Sequence, residues 1–532
     1  MATSPQRAYR AACPNCGAPV EFASAASASA VCGFCRSTLV RDGDALKRIG
    51  ISSELFDDHS PLQLGAAGRY KGLAFTLVGR LQYGYEGGIW NEWHALFDSG
   101  RSGWLSEDNG AYVFAFDGES STGAPPDAAA AERLAIGQTL TVDGRAWNVA
   151  SRVSAKLLAA QGELPRPPAL DSSFTVLELR SQQDEVGTLD YSDARRVAWS
   201  TGRAVLLADL AMSGLREVSE KSLSGRAVEC PGCGASLEPK LSSTQSLTCA
   251  QCNTVVDVSK GVGGELEHYQ QNNVGAGGLE PLIPLGRTGT LNLGTGQAEP
   301  WQVVGYMERC DLPAPGDDDE QVYWREYLLY NRSHGFAFLV DSEEDGWSWV
   351  RPVTGTPQRL GGDKVSLRGI EYHKRWTYRA KVTWVQGEFY WRVRRDERAH
   401  VTDYEGRGGK PGARLSREQT GQEVTWSAGE TMAASVVAQA FGIQPSGQAA
   451  LQRDVAPTGS GMGLAKVIII ILVVLLLVVI LSQCGGDRCD SVRQTFGPAS
   501  AEYQQCQRSS TSSSRTSGGS YGGWSSGGGG HK

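Results

Sequence analysis

Residues 13–17 read CPNCG, and residues 230–234, which lie 217 positions later, read CPGCG. Each segment is followed, after fifteen intervening residues, by a second Cys-x2-Cys pair. Two such pairs separated by about 15–20 residues are typical of a four-cysteine zinc site, because each tight turn presents two sulfurs on one side. The sequence therefore predicts two Zn²⁺ sites, whose ligands are Cys13, Cys16, Cys32, Cys35, Cys230, Cys233, Cys249 and Cys252.

Both segments resemble the zinc-ribbon family, and we expect the ribbons over residues 1–45 and 225–260. Four cysteine ligands leave no coordination position for water, so the zinc is expected to be structural rather than catalytic. Disulfides are the alternative. Residues 1–50 contain no apolar run typical of an export signal, which favours a reducing compartment and therefore zinc.

The composition of the 532 residues is that of a folded protein, with 40% apolar and 20% charged residues. This balance excludes disorder of the whole chain. The net charge of −7 argues against a protein that binds nucleic acid through bulk positive charge. The 66 glycines exceed the usual share of about 7%, which indicates turn-rich β structure and a glycine-rich tail.

The residues that follow each cysteine set repeat as well. Nearly constant offsets across separated motifs predict two homologous domains, over residues 46–217 and 265–444. The matching segments are residues 78–79 with 304–305 (VG), 90–93 with 324–327 (WNEW and WREY), 161–163 with 386–388 (QGE), and 199–202 with 426–429 (WSTG and WSAG).

Local patterns in each copy indicate antiparallel strands. Asp143-Gly144 and Gln386-Gly387 are turn dipeptides between apolar runs, and residues 331–335 join two further runs, so each predicts a hairpin. A period of two predicts a half-buried strand with one inward face, formed by Tyr378, Ala380, Val382 and Trp384.

A helical period follows the WSxG motif of the second copy, and residues 203–212 are its expected counterpart in the first. The fold class is therefore mainly β, with two antiparallel sandwiches or barrels, each closed by a short helix. The expected buried face of the second helix consists of Ala433, Val436, Val437, Ala440 and Phe441.

The whole layout resembles an uncharacterised bacterial family in which zinc ribbons precede a duplicated domain of unknown function. The resemblance rests on the WxE[WY], QGE and WSxG segments quoted above. The resemblance implies an association with envelope-stress and membrane-maintenance proteins, and it identifies no catalytic residues.

Residues 467–481 are fifteen consecutive Val, Ile and Leu residues. With their flanks, residues 464–483 have the length of a transmembrane helix, and a buried core helix is the alternative. We expect residues 445–463 to be a linker and residues 484–532 a disordered Gly/Ser-rich tail that contains Cys489 and Cys506. Because zinc thiolates need a reducing compartment, we expect a single-pass protein of the inner (cytoplasmic) membrane, with residues 1–460 in the cytoplasm and the tail outside, where these two cysteines could pair.

Three functions are compatible with this architecture. The first is a membrane-tethered scaffold or adaptor that binds protein partners. The second is an enzyme that uses Glu92 or Glu326 as an acid or base, although the neighbouring His94 is matched by Leu328 in the second copy. The simpler interpretation of both glutamates is that they are satisfied strand residues.

The third function is nucleic-acid binding by the tryptophan- and arginine-rich strands of the second copy. Alternation more simply places these rings inside and the arginines outside, which argues against nucleic acid as a partner. The residues concerned are Trp376, Trp384, Trp391, Arg375, Arg392, Arg394 and Arg395.

Overall fold

The protein is described here by a computed structural model, and it is mainly β. One compact unit contains both cysteine-rich modules and both repeats, and a second unit contains a short helix, α3 (Asp490–Phe496). The described residues are 9–22, 27–42, 45–51, 60–86, 88–108, 111–118, 125–168, 173–193, 196–216, 228–241, 244–258, 266–271, 281–313, 321–342, 345–394, 396–407, 410, 412–444, 490–502 and 504.

The first cysteine-rich module and the first repeat are built from fifteen strands. The module contains β1 (Tyr9–Ala12), β2 (Pro19–Phe22), β3 (Ser29–Val31), β4 (Ser37–Asp42) and β5 (Ala45–Ile51). The repeat contains β6 (Ala67–Tyr70), β7 (Leu73–Tyr85), β8 (Gly88–Phe97), β9 (Ser102–Asp108), β10 (Ala111–Gly118), α1 (Ala128–Arg133), β11 (Thr139–Val142), β12 (Arg145–Leu164), β13 (Ser173–Arg180), β14 (Glu185–Asp190), β15 (Ala198–Val205) and a 3-10 helix (Leu207–Leu210).

The second module and the second repeat follow the same order. The module contains β16 (Val228–Glu229), β17 (Ser236–Leu237), β18 (Ser246–Thr248), β19 (Val255–Asp257) and β20 (His268–Tyr269). The repeat contains β21 (Thr288–Leu291), β22 (Glu299–Leu312), β23 (Tyr323–Asn331), β24 (Gly335–Ser342), β25 (Gly346–Val353), β26 (Gln358–Gly361), β27 (Lys364–Leu367), β28 (Ile370–Phe389), β29 (Arg398–Arg407), β30 (Ala413–Thr420), β31 (Glu423–Met432) and α2 (Ala434–Ala440).

Each repeat is a closed antiparallel barrel of eight strands. In the first, the ring runs β7-β8-β9-β10-β15-β14-β13-β12 and returns to β7. In the second, β22-β23-β24-β25-β31-β30-β29-β28 returns to β22 in the same order. We refer to these rings as barrel one and barrel two. The sequence was compatible with a sandwich or a barrel, and the structure is a barrel.

Alternate residues of each strand face the barrel interior or an outer layer. In barrel two the interior side holds Met307, Trp324 and Phe338, whereas Tyr327 and Trp347 lie in the outer layer, which packs against α2. The chain thus places a helix over the outside of the sheet rather than over an open end.

Closure requires glycine where the long strands meet. A Cβ on Gly79 would lie 1.9 Å from the Glu163 carbonyl oxygen, and a Cβ on Gly387 would lie 2.3 Å from the Val304 carbonyl oxygen. The WSxG glycine of barrel two is equally constrained, since a Cβ on Gly429 would lie 1.8 Å from the Trp349 carbonyl oxygen. The repeated VG, QGE and WSxG segments therefore mark the close backbone contacts of the barrel.

The hairpins predicted at Asp143-Gly144 and at residues 331–335 are present, between β11 and β12 and between β23 and β24. The hairpin predicted at Gln386-Gly387 is wrong, because β28 continues through both residues to Phe389. Gly387 has the positive φ of a turn residue, +86°, but it uses this conformation at the crossing with β22.

The single inward face predicted for β28 is also interrupted. Tyr378, Ala380 and Val382 belong to the interior cluster, but Trp384 belongs to the outer cluster. The pairing with β22 shifts by one residue between Glu308 and Arg309, and this bulge moves Trp384 to the opposite face.

The helix predictions hold only in part. Barrel two ends in α2, whose buried residues are Ala434, Val437 and Ala438, while Val436 is 45% exposed. The predicted buried face therefore wrongly included Ala433 and Val436, which are exposed. In barrel one, β15 continues to Val205 and only a 3-10 turn follows, so the helix expected over 203–212 is wrong.

Each cysteine-rich module extends its barrel by strand pairing. In the first module, β3 pairs with the end of β12, and in the second, β18 pairs with the end of β28. Strand β5 continues to Ile51 and pairs with β4. Within the described part of the chain, no helix has the length and hydropathy needed to span a bilayer, and the predicted segment 464–483 lies outside that part.

A matched pair of variants separates the loss of stability caused by the close contact at Gly387 from the loss caused by its positive φ. Gly369 has a similar φ of +81° but no atom within 4 Å of its Cβ position. We expect Gly369→Ala to destabilise by about 1–2 kcal/mol through φ strain alone. Gly387→Ala adds a backbone clash and should lower stability by about 3 kcal/mol or more. Denaturant unfolding of the full chain in detergent measures the free energy of unfolding of both variants. Equal losses of stability would contradict the close crossing of β28 and β22 at Gly387.

Candidate metal centres and barrel interiors

The eight predicted cysteine ligands form two separate clusters. In each cluster the four sulfurs lie within 4.8 Å of one another. The Cys13–Cys35 and Cys230–Cys252 sulfurs are 3.6 Å apart, and the Cys16–Cys32 and Cys233–Cys249 sulfurs are 3.8 Å apart. A disulfide would need about 2.05 Å, whereas a tetrahedron with metal–sulfur bonds of about 2.3 Å has edges of about 3.8 Å. Both clusters could therefore hold a metal ion.

The turns that present these sulfurs have the same backbone in both modules. The amide of Gly17 donates to the Cys13 carbonyl at 2.8 Å, and the amide of Gly234 donates to the Cys230 carbonyl at the same distance. Both glycines have φ near +75°, which explains the glycine after each first pair. The duplication thus includes the detailed geometry of the cysteine turns.

Hydroxyl groups support one sulfur in each cluster. The Cys35 sulfur lies 3.2 Å from the Ser37 hydroxyl, and the Cys252 sulfur lies 3.0 Å from the Thr254 hydroxyl. The hydrogen bond between Cys35 and Ser37 is the main cause that lowers the pKa of Cys35 to about 5, and the contact with Thr254 similarly lowers the pKa of Cys252 to about 6. These contacts favour the thiolate form, which is the form that binds metal.

The interior of barrel two contains a buried ion triad. The Arg309 guanidinium donates from both terminal nitrogens to the Glu418 carboxylate, at 3.0 and 3.1 Å, and to Glu326 at 3.1 Å. Trp324 donates its indole N–H to Glu326 at 2.8 Å. All three charged side chains are at most 2% exposed, so Glu326 has no access to a substrate.

The counterpart of Glu326 in barrel one is Glu92, which has different surroundings. Glu92 accepts hydrogen bonds from Ser106 Oγ at 2.7 Å and from the Trp90 indole at 3.3 Å. Burial is the main cause that raises its pKa from 4.5 to about 7, and Asp190 and Asp117 raise it further. Glu92 lines a cavity of about 1750 Å³ whose walls come from the interior of barrel one and from residues of barrel two.

His94 does not form an acid–base pair with Glu92. Its Nδ1 is 2.9 Å from the Glu163 carbonyl oxygen, and its Nε2 is 2.9 Å from Ser102 Oγ. Burial lowers its pKa, which favours the neutral ring. Strand register matches His94 to Leu328, since these residues pair with Gly79 and Gly305 respectively.

Sequence reasoning missed Arg309, Glu418 and their counterparts. The offset of 226 that relates Gly79 to Gly305 also relates Tyr83 to Arg309, and strand pairing confirms it because Tyr83 faces Trp90 and Arg309 faces Trp324. Asp190 corresponds to Glu418, since they face Val176 and Val401. Comparison of the two copies position by position would have detected both differences.

The aromatic and basic strands proposed for nucleic acid are engaged within the protein. Arg375 binds Asp345 at 2.7 Å, Arg392 binds Asp257 at 2.5 Å, and Arg394 binds Glu86 at 3.1 Å. Trp384 is buried in the outer layer of barrel two. The cations are therefore neutralised by carboxylates, and Arg395 lies outside the described residues.

A duplicated eight-stranded barrel, each copy joined to a four-cysteine cluster, defines the class of this protein. The chain matches twice the family model described as Domain of unknown function (DUF4178), over residues 63–207 and 292–434, which is more than half of its length. The chain belongs to the DUF4178 family, which confirms the expected duplicated domain. No curated protein and no solved structure matches it.

The raised pKa of Glu92 predicts a stability difference that depends on pH. The folded state holds the proton up to about pH 7, whereas the ordinary pKa is 4.5, so the folded state loses stability as pH rises through this window. Glu92→Gln removes this loss. We expect its melting temperature to match that of the wild type at pH 5 and to exceed it at pH 8.

The matched control for this measurement is Glu132→Gln, which changes an exposed glutamate on α1. Its melting temperature should follow that of the wild type at both pH values. A Glu92→Gln variant that is less stable than the wild type at pH 8 would contradict the assignment.

Proposed function

We propose that the chain is a membrane-tethered zinc-ribbon adaptor that binds protein partners at the cytoplasmic face. The main observation in support of this proposal is the exposed phenyl ring of Phe34. It lies between Cys32 and Cys35 at the tip of the first cysteine cluster and is 84% exposed. An aromatic side chain on a turn that is fixed on both sides by ligands loses little conformational entropy when it binds, which suits an interface anchor.

Zinc is the ion that these clusters fit best. Four thiolates in a tetrahedral arrangement are typical of structural zinc, and they leave no position for a reacting water. The strand pairing of β3 with β12 and of β18 with β28 makes each ribbon a rigid extension of a barrel. The ribbons are thus suited to hold a binding surface rather than to carry out a reaction.

The location rests on redox chemistry and hydropathy. Thiolate ligands need a reducing compartment, which supports a cytoplasmic position for residues 1–460. The apolar segment 464–483 would anchor the chain as a single-pass protein of the inner membrane, with residues 484–532 outside. The uncharacterised family that the sequence resembles is associated with envelope-stress and membrane-maintenance proteins, and we extend the proposal to a role in envelope stress or in membrane maintenance.

Two alternatives have less support. An enzyme that uses Glu92 or Glu326 is disfavoured, because Glu326 is enclosed by Arg309 and Trp324 and because Glu92, which faces a cavity, has no acid–base partner in His94. Nucleic-acid binding is disfavoured because Arg375 and Arg392 are paired with carboxylates. The adaptor proposal requires neither of these groups.

Metal analysis tests the ribbons directly. We expect two zinc ions per chain, and we expect Cys13→Ser and Cys230→Ser each to remove one, because a site with three thiolates binds zinc far more weakly. Cys310→Ser is the matched control, since Cys310 is a buried cysteine outside both clusters and should leave two ions bound. Elemental analysis of protein purified without added metal gives the ratio, and a ratio of zero would overturn the zinc assignment.

Site-specific photo-cross-linking tests the adaptor role. A photoreactive amino acid at position 34 should give a discrete cross-linked product with a membrane-associated or cytoplasmic protein in intact cells. The matched control is position 251, which occupies the same place in the second ribbon and carries an exposed glutamine. We expect its yield of that product to be at least tenfold lower.

Equal labelling at both positions, or no discrete product at either, would contradict the adaptor proposal. The same cells test the anchor, because the full chain should require detergent for extraction. Deletion of residues 464–483 should release the chain from the membrane fraction.

A further inference from the structure

The two barrels differ at the interior position that holds the only cation of the triad. Barrel two has Arg309 there, and barrel one has Tyr83. The acidic partners are kept, because Glu326 corresponds to Glu92 and Glu418 corresponds to Asp190. Barrel one therefore retains two carboxylates whose counterparts bind a guanidinium group, and it lacks that group.

Within the described residues, neither carboxylate of barrel one forms an ion pair. Glu92 accepts from Ser106 and Trp90, and Asp190 accepts from the amide of Ser192 at 2.6 Å. Both carboxylates line the cavity, together with Ser106 and Trp90. Their hydrogen bonds satisfy some of the oxygen lone pairs and leave the negative charge without a counter-ion.

Three interior positions of barrel one carry smaller side chains than barrel two, although Phe174 stands where barrel two has Ala399. Val153 stands where barrel two has Tyr378, whose hydroxyl donates to Asp403 at 2.9 Å. Ser106 stands where barrel two has Val340, a fully buried core residue. The shorter Asp190 in place of Glu418 further widens the gap between the two carboxylates.

Aromatic rings complete one wall. Tyr83 stacks on Trp90 with centroids 5.0 Å apart and planes 24° apart, and Phe174 meets Tyr83 edge-on at 5.8 Å. A cation near the face of such rings is attracted by their quadrupole, most strongly where water is excluded. Carboxylates on one side and ring faces on the other are suited to a flat cation.

We propose that barrel one binds a compact organic cation of the guanidinium class between Glu92 and Asp190, the counterparts of the two carboxylates that hold Arg309 in barrel two. The carboxylates accept hydrogen bonds from the N–H groups, and the Tyr83–Trp90 stack forms an aromatic wall of the site. An anion is repelled by both carboxylates, whereas Asp117, which also lines the cavity, is paired with Arg166 at 3.1 Å. The inference stands independently of the adaptor role, because it concerns the barrel interior and not the ribbon tip.

The protonation of Glu92 agrees with such a ligand. Its pKa is raised to about 7 by burial and by Asp190 and Asp117. Other titratable groups line the cavity from the neighbouring strands, among them Tyr83, Tyr85, Asp108, Arg166 and Glu178. A bound cation favours the ionised carboxylate, so binding releases a proton below about pH 7. Affinity therefore rises between pH 6 and pH 8.

The test is calorimetric titration of the full chain in detergent with methylguanidinium chloride at fixed ionic strength. Methylguanidinium reproduces the end of the Arg309 side chain. We expect saturable binding of one cation per chain, tighter at pH 8 than at pH 6. Glu92→Gln and Asp190→Asn should each weaken binding at least tenfold, whereas Glu132→Gln, on the exposed face of α1, should leave it unchanged.

A variant that adds the missing guanidinium group tests the proposal even if a carboxylate variant fails to fold. Tyr83→Arg introduces the side chain found in barrel two and should abolish methylguanidinium binding while the melting temperature is kept or raised. Absence of saturable binding by the wild type, or unchanged affinity in Tyr83→Arg, would overturn the proposal. Displacement of the bound cation by an equimolar amount of Mg²⁺ would also overturn it, because that result assigns an inorganic cation site.

Discussion

Each barrel closes because one strand of twenty residues, β12 or β28, pairs with different neighbours along its two halves. The first half pairs with the next strand of the ring, the second half returns to the first strand, and the last residues pair with the ribbon. A strand that changes partners must approach another backbone closely, and only glycine leaves room for this. The VG and QGE segments are therefore a geometric requirement of closure, and the position of the ribbon follows from it.

Buried charge shows how the copies diverged while they kept one fold. On the outer side, barrel two pairs Arg325 with Asp341 at 3.2 Å, and barrel one has Asn91 and Glu107 at those positions. The cation of barrel one comes instead from the adjacent strand, where Arg80 donates to Asn91 at 2.7 Å. On this outer side the lost cation is replaced within the protein, in keeping with the strong destabilisation that an uncompensated buried charge causes.

The sequence predicted the features that depend on local spacing. Ligand geometry fixes the distance between two cysteines of a turn, and duplication fixes the offsets, so both cysteine clusters and the repeated β domain were predictable, whereas the choice between sandwich and barrel was not. Gln386-Gly387 was misinterpreted because a positive φ serves a strand crossing as well as a turn. The face of Trp384 was missed because a bulge inverts alternation without leaving a sign in the composition. Arg309 and Glu418 meet across the barrel, at a separation in the chain that no local pattern reports.

The contact of ribbon and barrel has a consequence for how this protein could arise. Val31 of β3 packs with Leu81 and Leu164 of barrel one, and Val255 of β19 packs into the interior cluster of barrel two. Each ribbon thus fills one end of its barrel, and neither part has a complete core alone. A cassette of ribbon and barrel is the smallest piece that could be copied without exposing apolar surface, and both parts do recur together along the chain.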